Sequence, residues 1–321
     1  MEINKKNIKK FAVTGARPTL GRVLQEAAER DKNICVITAD VSTSAGLERY
    51  KKSLPEQYID VGIAEQNMMS IAAGLAKEGF RVVTTSFAPF QSMRCLEQIR
   101  VNYGYMELPV VMVGLASGIY HSYLGNTHCC FEDVAILRSI PNIAVVTPAD
   151  GAEIVKAVES ALTYKSAVYI RLIENKGLPI VYEEDFDFAI GKANLIRDGR
   201  DIAIIANGTM VHASLELAKL LEKNGISSKI VDMHTVKPLD TEMLDRLCEH
   251  QLIVTIEEHN IIGGLGSAVA EYLAPKRKRP RQLLFGIHDF YPHAGNYEDA
   301  LEQCGLLPSQ MLVEILKEMK E

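Results

Sequence analysis

Glu65 is the carboxylate whose surroundings most suggest chemistry. It follows Ile59-Asp60-Val61-Gly62-Ile63-Ala64 and precedes Gln66-Asn67-Met68-Met69, with Ala72-Ala73-Gly74-Leu75-Ala76 one turn on. A short apolar run ends in a glycine turn, and a small-residue helix begins at the acid. An isolated glutamate in that position commonly does no more than complement the helix macrodipole. Here the Ala and Gly residues permit close approach. The acid also lies at the carboxyl end of an expected strand, where open α/β sheets place ligands. Two other conspicuous clusters read more plainly. Gly263-Gly264-Leu265-Gly266 is expected to be a tight turn into a helix, since a glycine cluster alone is weak evidence for a phosphate loop. Cys129 and Cys130 are adjacent, and none of the six cysteines forms a C-x-x-C pair. Neither a zinc site nor a dithiol redox pair is therefore expected.

Positioning such residues requires alternating strands and helices, and the sequence supplies them. Apolar, β-branched runs at Ile34–Thr38, Arg81–Thr85, Pro109–Val113, Ile143–Val146 and Ala167–Ile170 predict buried parallel strands. Helix-period stretches fall at Leu20–Arg30, Glu65–Lys77 and Asp150–Thr163. This alternation predicts an α/β fold with a parallel sheet covered on both faces. The acidic segment Tyr182–Asp187 reads as a linker. Beyond it the alternation restarts, with strands at Ile202–Ala206, Ser228–Asp232 and Leu252–Ile256 and helices at Val211–Asn224, Thr241–Glu249 and Leu265–Leu273. The expected division is residues 1–185 for the first domain and 186–321 for a smaller second α/β domain.

Composition narrows the function class. A chain of 321 residues is natural for two domains, and its 47% hydrophobic content supplies two cores without disulfide or metal staples. A net charge of -6 argues against a nucleic-acid or anionic-membrane partner. No apolar run is long enough for a membrane span, and the Lys-rich start Met1–Lys10 lacks a signal-peptide core. A reducing, cytoplasmic location is the expectation.

The stretch Asp60-Val61-Gly62-Ile63-Ala64-Glu65-Gln66-Asn67 resembles the pyrimidine-binding domain of transketolase-like thiamine diphosphate enzymes. Ser86-Phe87-Ala88-Pro89-Phe90, Leu108-Pro109-Val110, Thr127-His128, Glu132-Asp133-Val134-Ala135, Pro141-Asn142 and Thr147-Pro148-Ala149-Asp150 follow in that family's order. Thr235-Val236-Lys237-Pro238-Leu239-Asp240 and Glu257-Glu258-His259 resemble its C-terminal domain. The resemblance implies that Glu65 hydrogen-bonds ring nitrogen N1′ of the aminopyrimidine and so activates C2 of the thiazolium. It makes Phe87 and Phe90 the aromatic wall for that ring, with Met93 in a third, normally aromatic, position where a thioether can still cover a ring face. Asp40 and Ile63 match positions beside the cofactor. His128 matches a histidine that moves protons on the substrate. Arg17, Ser44 and Arg171 match a clamp for the terminal phosphate of a sugar. Two departures stand out: Leu124 replaces the family's loop aspartate, and Ala116 lies where transketolases carry an upstream histidine, with His121 as a residue that could take that place.

The family binds the diphosphate and Mg2+ through a G-D-G segment in a separate domain, and this sequence has no G-D-G. The resemblance thus implies a split enzyme. A partner subunit would carry the diphosphate and metal, no metal ligand would lie on this chain, and the assembly would be an α2β2 heterotetramer acting on sugar phosphates. The β subunit of a 2-oxo acid dehydrogenase is the alternative of similar length. An idle scaffold is disfavoured by the retention of Glu65, both phenylalanines and His128.

Overall fold

The computed structural model describes residues 1–173 and 177–320. Its strands, in chain order, are β1 Ile34–Thr38, β2 Tyr58–Asp60, β3 Arg81–Phe87, β4 Val110–Leu115, β5 Ile143–Val146, β6 Ala167–Arg171, β7 Asn194–Arg197, β8 Ile202–Ala206, β9 Ser228–Asp232, β10 Thr235–Lys237, β11 Leu252–Asn260 and β12 Arg281–Ile287. They form a seven-stranded sheet of order β10-β5-β6-β4-β3-β1-β2 and a five-stranded sheet of order β12-β11-β8-β9-β7. Every pairing is parallel except β10 with β5 and β7 with β9. The residues of β1, β4, β5 and β6 are buried throughout, as continuous β-branched runs require when helices cover both faces. The α/β expectation is met in both halves.

The helix Glu65–Lys77 shows why its small residues matter. It buries Met68, Met69, Ala72, Ala73 and Ala76, and Tyr103 donates to the Met69 carbonyl at 2.7 Å. The alanines let the helix axis lie close to the sheet. Elsewhere helices start on side-chain caps: Asp150 accepts from the Glu153 N–H at 2.9 Å and Asp240 from the Met243 N–H at 3.0 Å.

Several features depart from the expectation. The short strands β7 and β10 carry too few apolar residues to show a period, and β12 is flanked by basic residues that mask it. The segment read as a linker is docked. Tyr182 is buried, its ring stacks on Phe186, and its hydroxyl donates to Asp232 Oδ2 at 2.7 Å. The backbone N–H groups of Val181 and Tyr182 both donate to Asp150 Oδ2 at 2.9 Å. β10, from beyond residue 186, closes the edge of the first sheet in register with Val145 and Val146. Lys237 fixes it by donating to the carbonyls of Arg138, the last residue of the helix Asp133–Arg138, and of Ile140 just beyond it. Among the described residues no helix is long and apolar enough to cross a membrane.

Candidate active site

Parallel strands deliver their following loops to one edge of the first sheet, and the candidate residues gather there. β1 runs into Asp40, β2 into Ile63 and Glu65, β3 ends on Phe87, and β4 leads into the loop that carries His121 and His128. Asp60, the last residue of β2, ties two of these loops together by accepting from the Asp40 N–H at 2.9 Å and the Gly62 N–H at 3.1 Å. Partial burial raises the Asp60 carboxyl, but those backbone donors, the Tyr58 hydroxyl and the Lys51 charge together hold it below its usual range.

Glu65 is 4% exposed. The helix it opens has no side-chain cap. Its Oε1 accepts from the Arg94 guanidinium at 2.7 Å, and that guanidinium lies 4.0 Å from the centre of the Phe90 ring. Phe87 and Phe90 meet edge to face at 6.3 Å. His128 sits against both, with ring centres 6.2 Å and 5.7 Å away, and its Nδ1 is 3.0 Å from Thr127 Oγ1. A buried carboxyl, two half-buried aromatic rings and an imidazole thus share one recess.

Arg17 enters the same recess from the second residue of the helix Ala16–Arg30. Its Nη2 lies 3.1 Å from His121 Nε2, and its guanidinium carbon lies 5.9 Å from the Phe87 ring centre. Arginine can only donate, so His121 Nε2 accepts and the ring is neutral with its proton on Nδ1. Burial, then the charges of Arg17 and His128, push the His121 pKa down to about 4, which agrees. Ser44 is half-buried in the loop after β1. Two residues on, Gly46 has φ +69, and a Cβ there would lie 2.5 Å from the Arg17 carbonyl oxygen. Only glycine lets this loop approach so closely, and the approach brings the Ser44 segment to the start of the Arg17 helix.

Arg171 does not join them. It is 1% exposed. Its Nε lies 3.0 Å from both Asp133 carboxylate oxygens, and its Nη2 donates to the carbonyls of Cys130 and Glu258 at 3.0 and 2.9 Å. The expected phosphate clamp therefore loses Arg171. Its charge is spent on Asp133 within the first domain, and its bond to the Glu258 carbonyl reaches the second sheet. The sequence could not reveal this, because Asp133 is distant in the chain and is drawn in by the fold. Asp40 is exposed with φ +57. Ile63 is 78% exposed and Met93 37% exposed beside the recess, and neither packs as a core side chain does. Leu124 is also exposed, and Ala116 is buried at φ +53. Sequence reasoning missed Arg94, whose four-residue spacing from Phe90 was the available signal. The glycine cluster at 263–266 is the expected turn: Glu257 accepts from the Leu265 and Gly266 N–H groups at 2.7 and 2.8 Å, which occupies the donors a phosphate would need. Among the described residues no three His, Cys, Asp or Glu side chains converge as a metal site.

Comparison with known proteins decides the family. Residues 15–178 match the model for "Transketolase, pyrimidine binding domain" and residues 191–311 that for "Transketolase, C-terminal domain". The chain belongs to the transketolase family. It is 38% identical over 309 residues to a putative transketolase C-terminal section of Methanocaldococcus jannaschii, covering 96% of this chain and 97% of the relative. It is 37% identical to a 6-deoxy-6-sulfo-D-fructose transketolase subunit of a Clostridium species, covering 92% of each. A solved structure described as a split gene transketolase, inactive beta4 tetramer, superposes with a TM-score of 0.85 at 35% identity, covering 95% of this chain and 97% of that one. Relatives of matching length are thus similar along nearly all of this chain. This chain is a transketolase-type subunit of the split kind.

Proposed function

We propose that this subunit holds the aminopyrimidine of thiamine diphosphate and, with a G-D-G-bearing partner that holds the diphosphate and Mg2+, transfers a two-carbon ketol unit from a ketose phosphate to an aldose phosphate. The observation that carries this reading is the buried Glu65 carboxyl in the cluster with Arg94, Phe90 and Phe87. The residues suit the pyrimidine half of the cofactor: two aromatic faces for a flat heterocycle and a dry carboxyl for its ring nitrogen. When bound, thiamine diphosphate supplies the carbon nucleophile that carries the two-carbon unit.

This chain's residues do the rest. Glu65 holds a proton against N1′. Phe87 and Phe90 fix the ring plane and exclude water, with Met93, Ile63 and Asp40 at the rim. His128 moves protons at the substrate hydroxyl and carbonyl. Arg17 and Ser44 hold the terminal phosphate, and His121 orients Arg17. The division into a pyrimidine-binding domain, residues 1–185, and a C-terminal domain, residues 186–321, is drawn near the change of sheet, and β10 crosses back to the first sheet. Ile63, Met93, Tyr123 and Leu124 leave apolar surface exposed around the recess, which suits a face covered by another subunit. An α2β2 assembly in the cytoplasm fits these features and the six free cysteines. The test is reconstitution. The chain mixed with its G-D-G partner, thiamine diphosphate and Mg2+ should transfer ketol units between sugar phosphates, and neither subunit alone should do so. Absence of transfer by the mixture over a panel of ketose and aldose phosphates overturns the reading.

A further inference from the structure

The loop that carries both active-site histidines is anchored by the second domain. It leaves β4 at Leu115 and returns at Cys130. At its base Gly118 and Cys130 form an antiparallel bridge, with N–H to carbonyl distances of 2.7 and 2.9 Å. The N–H of the next residue, Ile119, donates at 2.8 Å to Oε1 of Glu258, a side chain of β11 in the other sheet. Oε2 of the same carboxylate accepts from Thr209 Oγ1 at 2.9 Å and from the Tyr297 hydroxyl. Glu258 is fully buried. The fit leaves no slack: Gly118 has φ +70, and a Cβ there would stand 2.1 Å from Glu258 Oε1. Farther out, Ser122 Oγ donates to the Gly295 carbonyl at 3.0 Å, Asn126 Nδ2 donates to the Pro292 carbonyl at 2.9 Å, and Tyr120 packs on Tyr297.

We infer that Glu258 is a positioning residue for ketol transfer: from the C-terminal domain it sets the conformation of the loop that aims His121 and His128 into the recess. A buried carboxylate is costly to desolvate and persists where its oxygens are matched by donors. Here the donors come from the loop on one side and from the second domain's helices on the other. The catalytic consequence rests on the proposed ketol-transfer reading; the anchoring of the loop does not.

The experiment uses the full chain for hydrogen–deuterium exchange by mass spectrometry and the assembled enzyme for kinetics. Glu258→Ala should speed exchange in peptides spanning 117–130 by roughly tenfold or more while leaving the Phe87–Arg94 peptides unchanged. In the assembled enzyme it should lower ketol-transfer kcat roughly 10- to 100-fold, with hydrogen–deuterium exchange at cofactor C2, which depends on Glu65, within about threefold of wild type. Glu258→Gln should restore most of both, because its amide oxygen can accept from Ile119 while the Thr209 and Tyr297 hydroxyls turn to accept from its NH2. A general structural role would lower C2 exchange and turnover together and would not be rescued. If Glu258→Ala does not fold, Gly118→Ala attacks the same contact from the loop side. Unchanged protection of 117–130 in the folded variant overturns the inference, as does turnover that stays at the wild-type level. A wild-type mixture without ketol transfer would count against the proposed function alone, and the exchange data would still decide the anchoring.

Discussion

Glu65, Arg17 and Arg171 were three comparable charges in the sequence, and the structure separates them by what surrounds each. Glu65 is a buried acid linked to the Phe90 ring through the Arg94 guanidinium. Glu65→Gln in the assembled enzyme should slow C2 exchange by roughly 10²–10⁴-fold, the scale of a lost acid–base group, while the loss of its charge toward Arg94 lowers the melting temperature far less than Arg171→Ala does. Arg17 lines the recess at His121 and Phe87. Arg17→Ala should lower kcat/KM for a phosphorylated sugar by roughly 10- to 150-fold, the loss of one charge-assisted hydrogen bond. A donor without phosphate, such as hydroxypyruvate, should be used nearly as before. Arg171→Ala should behave oppositely. It strands Asp133 in the interior, and breaking a buried pair costs about 3–5 kcal/mol. Stability should fall steeply and any residual activity should fall alike on both donors. Kinetics with the two donors, alongside calorimetry, distinguishes a substrate contact from a structural tie.

At the scale of elements, the junction between the sheets has a pH dependence of its own. Burial, opposed by donation from Tyr182, lifts the Asp232 carboxyl from an ordinary 3.8 to about 7, and Glu153 beside it is raised as well. A raised acid binds more protons folded than unfolded between those values. Stability is therefore greatest at the acid end of the window and is lost as pH rises from about 4 to about 7. Asp232→Asn removes that slope. Its melting temperature relative to wild type should rise between pH 5 and pH 8, and a constant difference would contradict the assignment. Most elements were legible beforehand because their periods were strong: Glu65–Lys77, Ile202–Ala206, Ser228–Asp232 and Leu265–Leu273 hold their expected bounds. What escaped was non-local. Tyr182 sits in an acidic run that looks solvated, yet it is buried because Asp150, Glu153 and Asp232 converge on it. β10 has three residues, and only its antiparallel partner β5 makes it a strand. The candidate recess was legible to the extent that it is built from loop residues at strand ends. The fate of Arg171 was not, because pairing across a fold leaves no trace in spacing.

For the molecule as a whole, the proposed sharing of the cofactor between this chain and a partner would make activity depend on concentration. Dilution of the reconstituted enzyme should lower specific activity, with recovery on adding excess partner. Light scattering should give the mass of two copies of each subunit; a stable mass of one copy of each, with full activity, would contradict the α2β2 arrangement. The edge strand β10 has a further meaning for anyone rebuilding this protein. A hybrid made by exchanging everything after residue 185 with a relative brings a foreign border to the recipient's first sheet, along with a foreign lysine at the end of its Asp133–Arg138 helix. The seam that looks natural on paper cuts across a shared hem. Grafts that keep residues 234–238 with their native β5 should melt closer to the parent than grafts that swap them, and neither should match it, because the Glu258–Ile119 and Tyr182–Asp232 contacts are exchanged in both. For breeding new specificities, the heritable module is the whole chain rather than either half.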